Sequence, residues 1–383
     1  GMSAGGNKQG TTQGVSGESE SIADKYFVCT ECLVEGSVQS FVDLFFLTHA
    51  VDAQDTDEDS SASFATYETL QFLKARLTEA EVANRQAQHS SVFASYMDIA
   101  HHYQGQHDYK TAIYFLTKAL DVARLAEDAE READANQMLG LAHERMGNLR
   151  TAIEFHEKHR EIVTTAGVEL PAESGRHLIG AYKALAEELQ RQGDYASAIG
   201  YFERSLEAAQ TLGDFAGEGL AYQQLGNAYQ LQRDFLKAAE CFKKFLDICQ
   251  ETDDKIAEGS ACSSLASAYE AVGDRASSIK YLEAFYEVAL TTGELTAQRE
   301  ACGRLGIIFN TAGDYTSSVH YFSKSFEISR SLGDQKAVDV ARVNLGVARG
   351  CAKKETYLKI VNGTMDALLS WKNRRTPFDD PPR

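Results

Sequence analysis

The chain has 383 residues, of which 43% are apolar and 10% are aromatic, and its 38 basic and 56 acidic side chains give a formal net charge of −18. This surplus of negative charge disfavours nucleic acid and anionic lipid as partners, because both are themselves negatively charged. Of only four prolines, Pro377, Pro381 and Pro382 stand near the C-terminus, so nearly the whole chain is free of helix breakers. The composition therefore predicts an all-α protein.

The N-terminal region has its own character. Residues 1–21 are rich in Gly, Ser, Thr and Gln, and we expect a disordered tail there without a secretory signal. One helix is predicted from Asp24 to Val51 and a second from Phe64 to Gln86, with an acidic linker over 52–63 between them. The longest dense apolar stretch is too short to span a bilayer, so no membrane insertion is expected. Residues 22–89 are therefore predicted to form a helical cap.

From about residue 90 onward a short motif recurs, in which Asp or Asn follows a glycine or a polar residue. Four copies stand forty residues apart and begin at Gly193, Arg233, Gly273 and Gly313, and two earlier copies begin at His107 and Gly147. The first position suits a helix end with positive φ, and the aspartate that follows suits the N-cap of the next helix. Each motif is therefore predicted to be the turn between two helices.

Apolar and small residues around each turn are spaced as on two packed helix faces. The pairs Leu225-Gly226 and Leu305-Gly306 precede a turn, at points where two helices must approach closely. After the turn a small residue is followed four positions later by a large one, as in Ala238 and Phe242. Gly226 is therefore predicted to lie at a close contact between the two helices of its pair.

This pattern resembles the tetratricopeptide repeat, in which Leu-Gly, Tyr, Gly-Asp-Tyr, Ala and Phe recur at these positions. Residues 220–249 match it almost throughout, and longer second helices account for repeats of forty residues. The resemblance implies a right-handed superhelical solenoid of helix pairs over 90–350, in which the last first helix runs from Val338 to Arg349. A C-terminal capping helix over 351–375 and a disordered tail over 376–383 complete the predicted organisation.

Two parts of the chain carry more specific features. They are Cys32-Leu33-Val34-Glu35-Gly36 with Ser40-Phe41, and the stretches Leu305 to Phe309 and Ala341 to Gly346. Both are similar to segments of the tetratricopeptide repeat protein 29 family of ciliary and flagellar axonemes. That resemblance implies a cytoplasmic scaffold at the axoneme, with axonemal dynein or intraflagellar transport components as partners. The long repeats also resemble those of adaptors that bind regulatory peptides, so a signalling adaptor that holds helical peptides in its concave groove is the alternative.

Cysteines and histidines are the residues that invite a metal or catalytic interpretation. Cys29 and Cys32 stand three apart on a predicted helix, but a structural zinc needs four ligands and no second pair lies nearby. His156 and His159 fall on packing positions of their repeat, which favours a buried pair. No phosphate-binding, dinucleotide-binding or serine-nucleophile motif is present. We therefore expect no catalytic site, metal, cofactor or small-molecule substrate, and a metal-dependent regulator or enzyme that uses these residues is the alternative of a different class.

The first helices of stacked pairs line a concave groove, and their side chains that are not used for packing form the candidate binding site. In the middle repeats these groove positions are Lys183, Glu187, Gln190, Gln223, Asn227, Gln230, Ser263, Ser267 and Glu270. Amides of this kind hydrogen-bond the backbone of a bound peptide. Glu187 and Ser263 stand where repeats that grip a C-terminal carboxylate have an asparagine and a lysine, so a carboxylate clamp is not expected. The interpretation is a peptide-binding groove, and a merely solvated inner face is the alternative.

Overall fold

The computed structural model describes residues 15–49, 67–167 and 170–374. Every regular element in these ranges is a helix, which confirms the all-α prediction. The helices are α1 (Val15–Val34), α2 (Val38–His49), α3 (Tyr67–Arg85), α4 (His89–Gly105), α5 (Tyr109–Leu125), α6 (Ala129–Arg145), α7 (Leu149–Thr165), α8 (Ala172–Gln192), α9 (Tyr195–Leu212), α10 (Phe215–Leu231), α11 (Phe235–Glu251), α12 (Lys255–Val272), α13 (Arg275–Thr292), α14 (Leu295–Ala312), α15 (Tyr315–Leu332), α16 (Gln335–Val361) and α17 (Met365–Arg374). They fall into two compact units that divide after Ala181, within α8.

In the first unit α1, α2 and α3 pack against one another, α3 packs on α4, and the pairs α4/α5 and α6/α7 follow. Their buried core includes Leu73, Phe115 and Leu139. The helix predicted from Asp24 to Val51 is two helices, because Gly36 adopts a φ of +78° and the Ser37 N–H donates back to the Cys32 carbonyl at 2.8 Å, which ends α1. In addition, α1 begins at Val15, inside the range expected to be a disordered tail. The predicted acidic linker over 52–63 lies outside the described residues.

In the second unit each helix from α9 to α15 packs on the helix that follows it, and Phe242, Leu265 and Leu305 belong to one core cluster. The last first helix is longer than predicted, since α16 runs on to Val361 where a new helix was expected from about residue 351. The physical reason is that residues 351–361 contain no Asp or Asn that could cap a new helix, and Asn362 is the first such residue after Gly350. Nothing therefore interrupts α16 before that point. The predicted tail over 376–383 lies outside the described residues.

The predicted turns have the predicted backbone. The first turn residue has a positive φ at His107 (62°), Gly147 (77°), Gly193 (87°), Arg233 (67°), Gly273 (89°) and Gly313 (87°). At five of these turns the following aspartate accepts a hydrogen bond from the backbone N–H three residues later, which caps the next helix; these are Asp108, Asp194, Asp234, Asp274 and Asp314. Asn148 caps nothing with its side chain. The turn is thus set by the aspartate cap as much as by glycine.

In several of the pairs, a glycine stands where the helices touch. A Cβ atom built on Gly226 would lie 2.4 Å from Cε1 of Phe242, whose ring is fully buried in α11. The same contact recurs two pairs further along the chain, where a Cβ on Gly306 would lie 2.6 Å from Phe322. These distances are well inside van der Waals contact, so the prediction that Gly226 lies at a close helix contact is confirmed.

Candidate protein-binding face

All nine predicted groove positions lie on first helices of the second unit, namely α8, α10 and α12. Eight of them are half-buried, and only Glu270 is exposed. A side chain on a helix surface is half-buried when its stem packs against neighbouring residues and its polar end reaches solvent. What distinguishes the three helices is how many of these polar side chains already have a partner.

On α10 most of the hydrogen-bonding capacity is unused. Asn227 and Gln230 make no side-chain hydrogen bond within the described part of the chain, whereas Gln223 Nε2 donates to Ser260 Oγ on α12 at 3.3 Å. A half-buried amide has two donors and one acceptor to satisfy, so Asn227 and Gln230 present groups that a partner's backbone can pair with. The peptide-binding role of these positions stays a prediction.

On α8 the groove positions are partly paired. Lys183 Nζ lies 3.8 Å from Glu187 Oε1, one turn along the same helix, and both side chains are solvent-accessible. Such a pair contributes only about 0.3–0.5 kcal/mol, so it is easily exchanged for a partner's charge. Gln190 Oε1 is buried and has no hydrogen-bond partner among the described residues. This oxygen is therefore not accessible to a partner unless the Gln190 side chain rearranges.

On α12 the predicted groove positions are hydrogen-bonded to Arg304 of α14. Its Nη1 donates to Ser263 Oγ at 3.0 Å, and its Nη2 donates to Ser267 Oγ at 2.9 Å and to Glu270 Oε1 at 3.0 Å. Glu270 also accepts a hydrogen bond from Ser278 Oγ at 3.3 Å. All three predicted residues are thus tied to one guanidinium, and a partner that used them would first have to break these bonds.

Arg304 was missed because the groove positions were considered one repeat at a time. It stands forty residues after Ser264, where the earlier repeats have small or neutral side chains. A long cationic side chain at that position reaches the previous first helix, and the Ser-Ser-Glu set there offers it matching acceptors. Comparison of adjacent repeats position by position is the signal that finds it.

A cavity of about 410 Å³ opens between α12, α13 and α14. Its wall combines the hydroxyls of Ser260, Ser263 and Ser264 with the apolar side chains of Phe285 and Val288. The two cations in the wall are already neutralised: Lys255 pairs with Asp253 and Glu258 at 3.1 and 3.0 Å, and Arg299 pairs with Asp334 at 3.0 Å. The cavity therefore has no unpaired positive charge with which to hold an anion.

The cysteines and histidines considered as metal ligands are buried packing residues. Cys29 and Cys32 are buried, and burial raises the pKa of the Cys32 thiol to about 11, which keeps it protonated. His156 and His159 are buried as predicted, with His156 Nε2 3.2 Å from Glu144 Oε1 and His159 Nδ1 2.9 Å from the Ala133 carbonyl. Among the described residues no group of three His, Cys, Asp or Glu side chains is placed to hold a metal ion. In the same ranges no helix is both long and apolar enough to cross a membrane.

Family models described as tetratricopeptide repeat match residues 91–165, 178–251 and 261–296, which contain most of α4 to α13. These segments are therefore tetratricopeptide repeats, as the sequence pattern predicted. The right-handed superhelix that the resemblance implies stays a prediction.

The chain is also similar to curated proteins named tetratricopeptide repeat protein 29. The one from Trypanosoma brucei brucei is 29% identical over 198 residues, which are 51% of this chain and 41% of the relative. The one from Mus musculus is 26% identical over 212 residues, which are 51% of this chain and 45% of the relative. The chain thus spans less than half the length of the curated relatives it matches.

Two solved structures are similar over longer stretches. The C-terminal part of a tetratricopeptide repeat protein from Cytophaga hutchinsonii is 17% identical with a TM-score of 0.45, over 71% of this chain and 97% of that one. A signal-transduction ATPase with a tetratricopeptide repeat sensor from Pyrococcus horikoshii is 16% identical with a TM-score of 0.43, over 96% of this chain and 56% of that one.

Proposed function

Because the chain carries tetratricopeptide repeats and proteins built from them bind other proteins, we propose that it is a non-enzymatic scaffold whose recognition centre is the first-helix face of α8 and α10. The observation that carries this assignment is the contrast between neighbouring helices. The side chains of Asn227 and Gln230 on α10 have no hydrogen-bond partner among the described residues, whereas the equivalent positions on α12, Ser267 and Glu270, are bound to Arg304.

The contrast matters because a hydrogen bond to a partner stabilises a complex only if it does not replace an existing one. Each new bond to an unpaired amide contributes about 0.5–1.5 kcal/mol, while a bond gained by breaking the Arg304 network has a net contribution near zero. The Arg304 network instead holds α12 against α14. It therefore makes the edge of the binding face rigid without taking part in recognition.

The cellular setting follows from resemblance. The similarity to the tetratricopeptide repeat protein 29 family implies a scaffold in the assembly or motility of the cilium or flagellum, with axonemal dynein or intraflagellar transport components as partners. A signalling adaptor for helical regulatory peptides is the second candidate. The net charge of −18 favours partners with basic segments in either case, because like charges repel during association.

The test is proximity labelling in a flagellated cell, with the tagged wild-type chain and three variants. Asn227→Ala removes a side chain that no residue of the described ranges contacts by hydrogen bond. Gln223→Ala with Asn227→Ala also removes the bond to Ser260. The matched control is Glu240→Ala with Asp247→Ala, two exposed positions on the second helix of the same pair. All variants should melt like the wild type.

We expect the double variant to lose about 1–3 kcal/mol of partner binding, which is roughly a tenfold to hundredfold loss of captured partner, while the control captures the full set. A double variant that still captured every partner would move the binding site away from α10. Labelling of cytosolic signalling proteins that carry helical regulatory peptides, with no axonemal protein among the partners, would favour the signalling adaptor.

A further inference from the structure

Within the described ranges, no second helix packs on the last first helix, α16, at Gly346, where the repeat pattern places one. Gly346 stands forty residues after Gly306, which contacts the ring of Phe322 on its own second helix. A Cβ atom built on Gly346 would meet no other atom within 4 Å. The close-contact glycine is therefore present on α16, but the helix it would contact is not there among the described residues.

Next to this glycine α16 exposes an apolar stripe. Val340, Val343 and Val347 are 61%, 63% and 52% exposed, and their spacing of three and four residues aligns them along one side of the helix. A different side of α16 is already buried, where Leu345 and Ala348 pack with Phe322 of α15. The helix is thus apolar on two sides, and only one of them is covered.

The charge of this region is opposite to that of the chain. Residues 335–374 carry the basic side chains Lys336, Arg342, Arg349, Lys353, Lys354, Lys359, Lys372 and Arg374 against the acidic Asp339, Glu355 and Asp366, in a chain whose net charge is −18. Arg342 and Arg349 are both exposed on α16, on the side of Gly346 away from the valine stripe. Arg342 forms a surface ion pair with Asp339, at 3.3 Å.

We propose that this face of α16, formed by Val340, Val343, Gly346 and Val347 with Arg342 and Arg349 at its edge, binds an amphipathic helix of another protein that carries an apolar stripe beside acidic side chains. The open glycine admits a helix at close range, and the valines supply the apolar contact. The arginines select acidic flanks, since a basic helix would be repelled. At the equivalent position Gly306 contacts a second helix, so a protein helix is the occupant that this surface fits.

This interface is separate from the face of α8 and α10, so the two proposals fail independently. The probe is a fluorescein-labelled peptide of about 18 residues built from Leu, Ala and Glu, with leucines at three- and four-residue intervals and glutamates beside them. A second peptide has lysine in place of each glutamate. Binding to the full chain is measured by fluorescence anisotropy.

We expect saturable binding of the glutamate peptide, weaker at high salt, and at least about tenfold weaker binding of the lysine peptide. Val343→Asn with Val347→Asn should weaken binding of the glutamate peptide at least about tenfold while melting normally, because both side chains are exposed. Leu231→Asn with Leu236→Asn is the matched control, since these leucines are similarly exposed on α10 and α11. Arg342→Glu with Arg349→Glu should reverse the preference between the two peptides. The Asn227→Ala variant should bind like the wild type.

Equal binding of the two peptides, or no effect of the valine substitutions, would overturn the proposal. So would binding to phosphatidylserine vesicles in place of either peptide, which would make the occupant a lipid surface. Self-association of the wild type that the valine substitutions abolish would make it a second copy of this chain.

Discussion

Two glycines at the same position of the repeat should respond to alanine with opposite signs. Gly226 and Gly346 both follow the leucine of a first helix, and both lie in the interior of a helix. They differ in their surroundings, because Gly226 faces the buried ring of Phe242 while Gly346 faces open space. The comparison therefore separates the intrinsic effect of the substitution from the effect of packing.

Replacing glycine with alanine inside a helix stabilises the helix by about 1 kcal/mol, through the smaller entropy of the unfolded chain. At Gly346 nothing opposes that gain, so the free energy of unfolding should rise by up to about 1 kcal/mol. At Gly226 the new methyl group would lie 2.4 Å from Phe242 Cε1, and the ring has no exposed surface through which to move away. Overpacking of this kind costs about 1–3 kcal/mol and here should lie at the upper end, so the net effect is a destabilisation of about 2 kcal/mol. Gly226→Leu should be more damaging still.

The assay is urea unfolding followed by far-ultraviolet circular dichroism, together with amide hydrogen exchange. Exchange is needed because repeat proteins unfold in parts, and it should show lost protection in α10 and α11 for Gly226→Ala. Phe242→Leu in the Gly226→Ala background should recover part of the loss, because the smaller side chain makes room for the methyl group. If Gly226→Ala were as stable as the wild type, or if Gly346→Ala were the more destabilised of the two, the packing explanation would be wrong.

Three further outcomes are expected. Arg304→Ala should destabilise the second unit by about 1–3 kcal/mol and raise hydrogen exchange in α12 and α14. Arg304→Lys should recover only part of this stability, because one ammonium cannot reproduce the planar guanidinium contacts. An unchanged exchange pattern would show that the network does not hold the helices together. Hydrogen bonds from the Ser277 and Ser317 side chains hold the pKa of Asp274 and Asp314 below the usual 3.8, so their helix caps are fully formed at neutral pH and are lost as the pH falls through the lowered pKa. Asp314→Asn should therefore lose less stability between about pH 5 and pH 3 than the wild type, as measured by the urea midpoint, and an equal loss would contradict the role of the cap. The purified chain should carry less than about 0.1 equivalent of zinc by elemental analysis, and its melting temperature should be unchanged in EDTA. Stoichiometric zinc whose removal unfolds the protein would reverse the assignment of Cys29 and Cys32 as buried thiols.

The helix pairs and their turns were predictable because the forces that form them are local or repeat along the chain. An aspartate such as Asp234 caps the helix that begins beside it, and Gly226 and Phe242 meet within one pair, so a repeated spacing is enough to find both. The same logic failed at the ends. Gly36 ends α1, although the prediction placed it inside a longer helix. The first helix that is now α16 was predicted to end near residue 350, although no capping residue stands there.

The nine groove positions show what the sequence alone could predict and what it could not. It determined that these residues lie on first helices, away from the packed sides, because that follows from the 3.6-residue period. Only the tertiary structure decided that Asn227 is unpaired while Ser267 is bound, since the difference depends on the reach of one side chain, Arg304, from the neighbouring pair. It likewise decided that Gly346 faces open space although it follows a leucine at the same repeat position as Gly306, because a contact exists only when a second helix is present to make it.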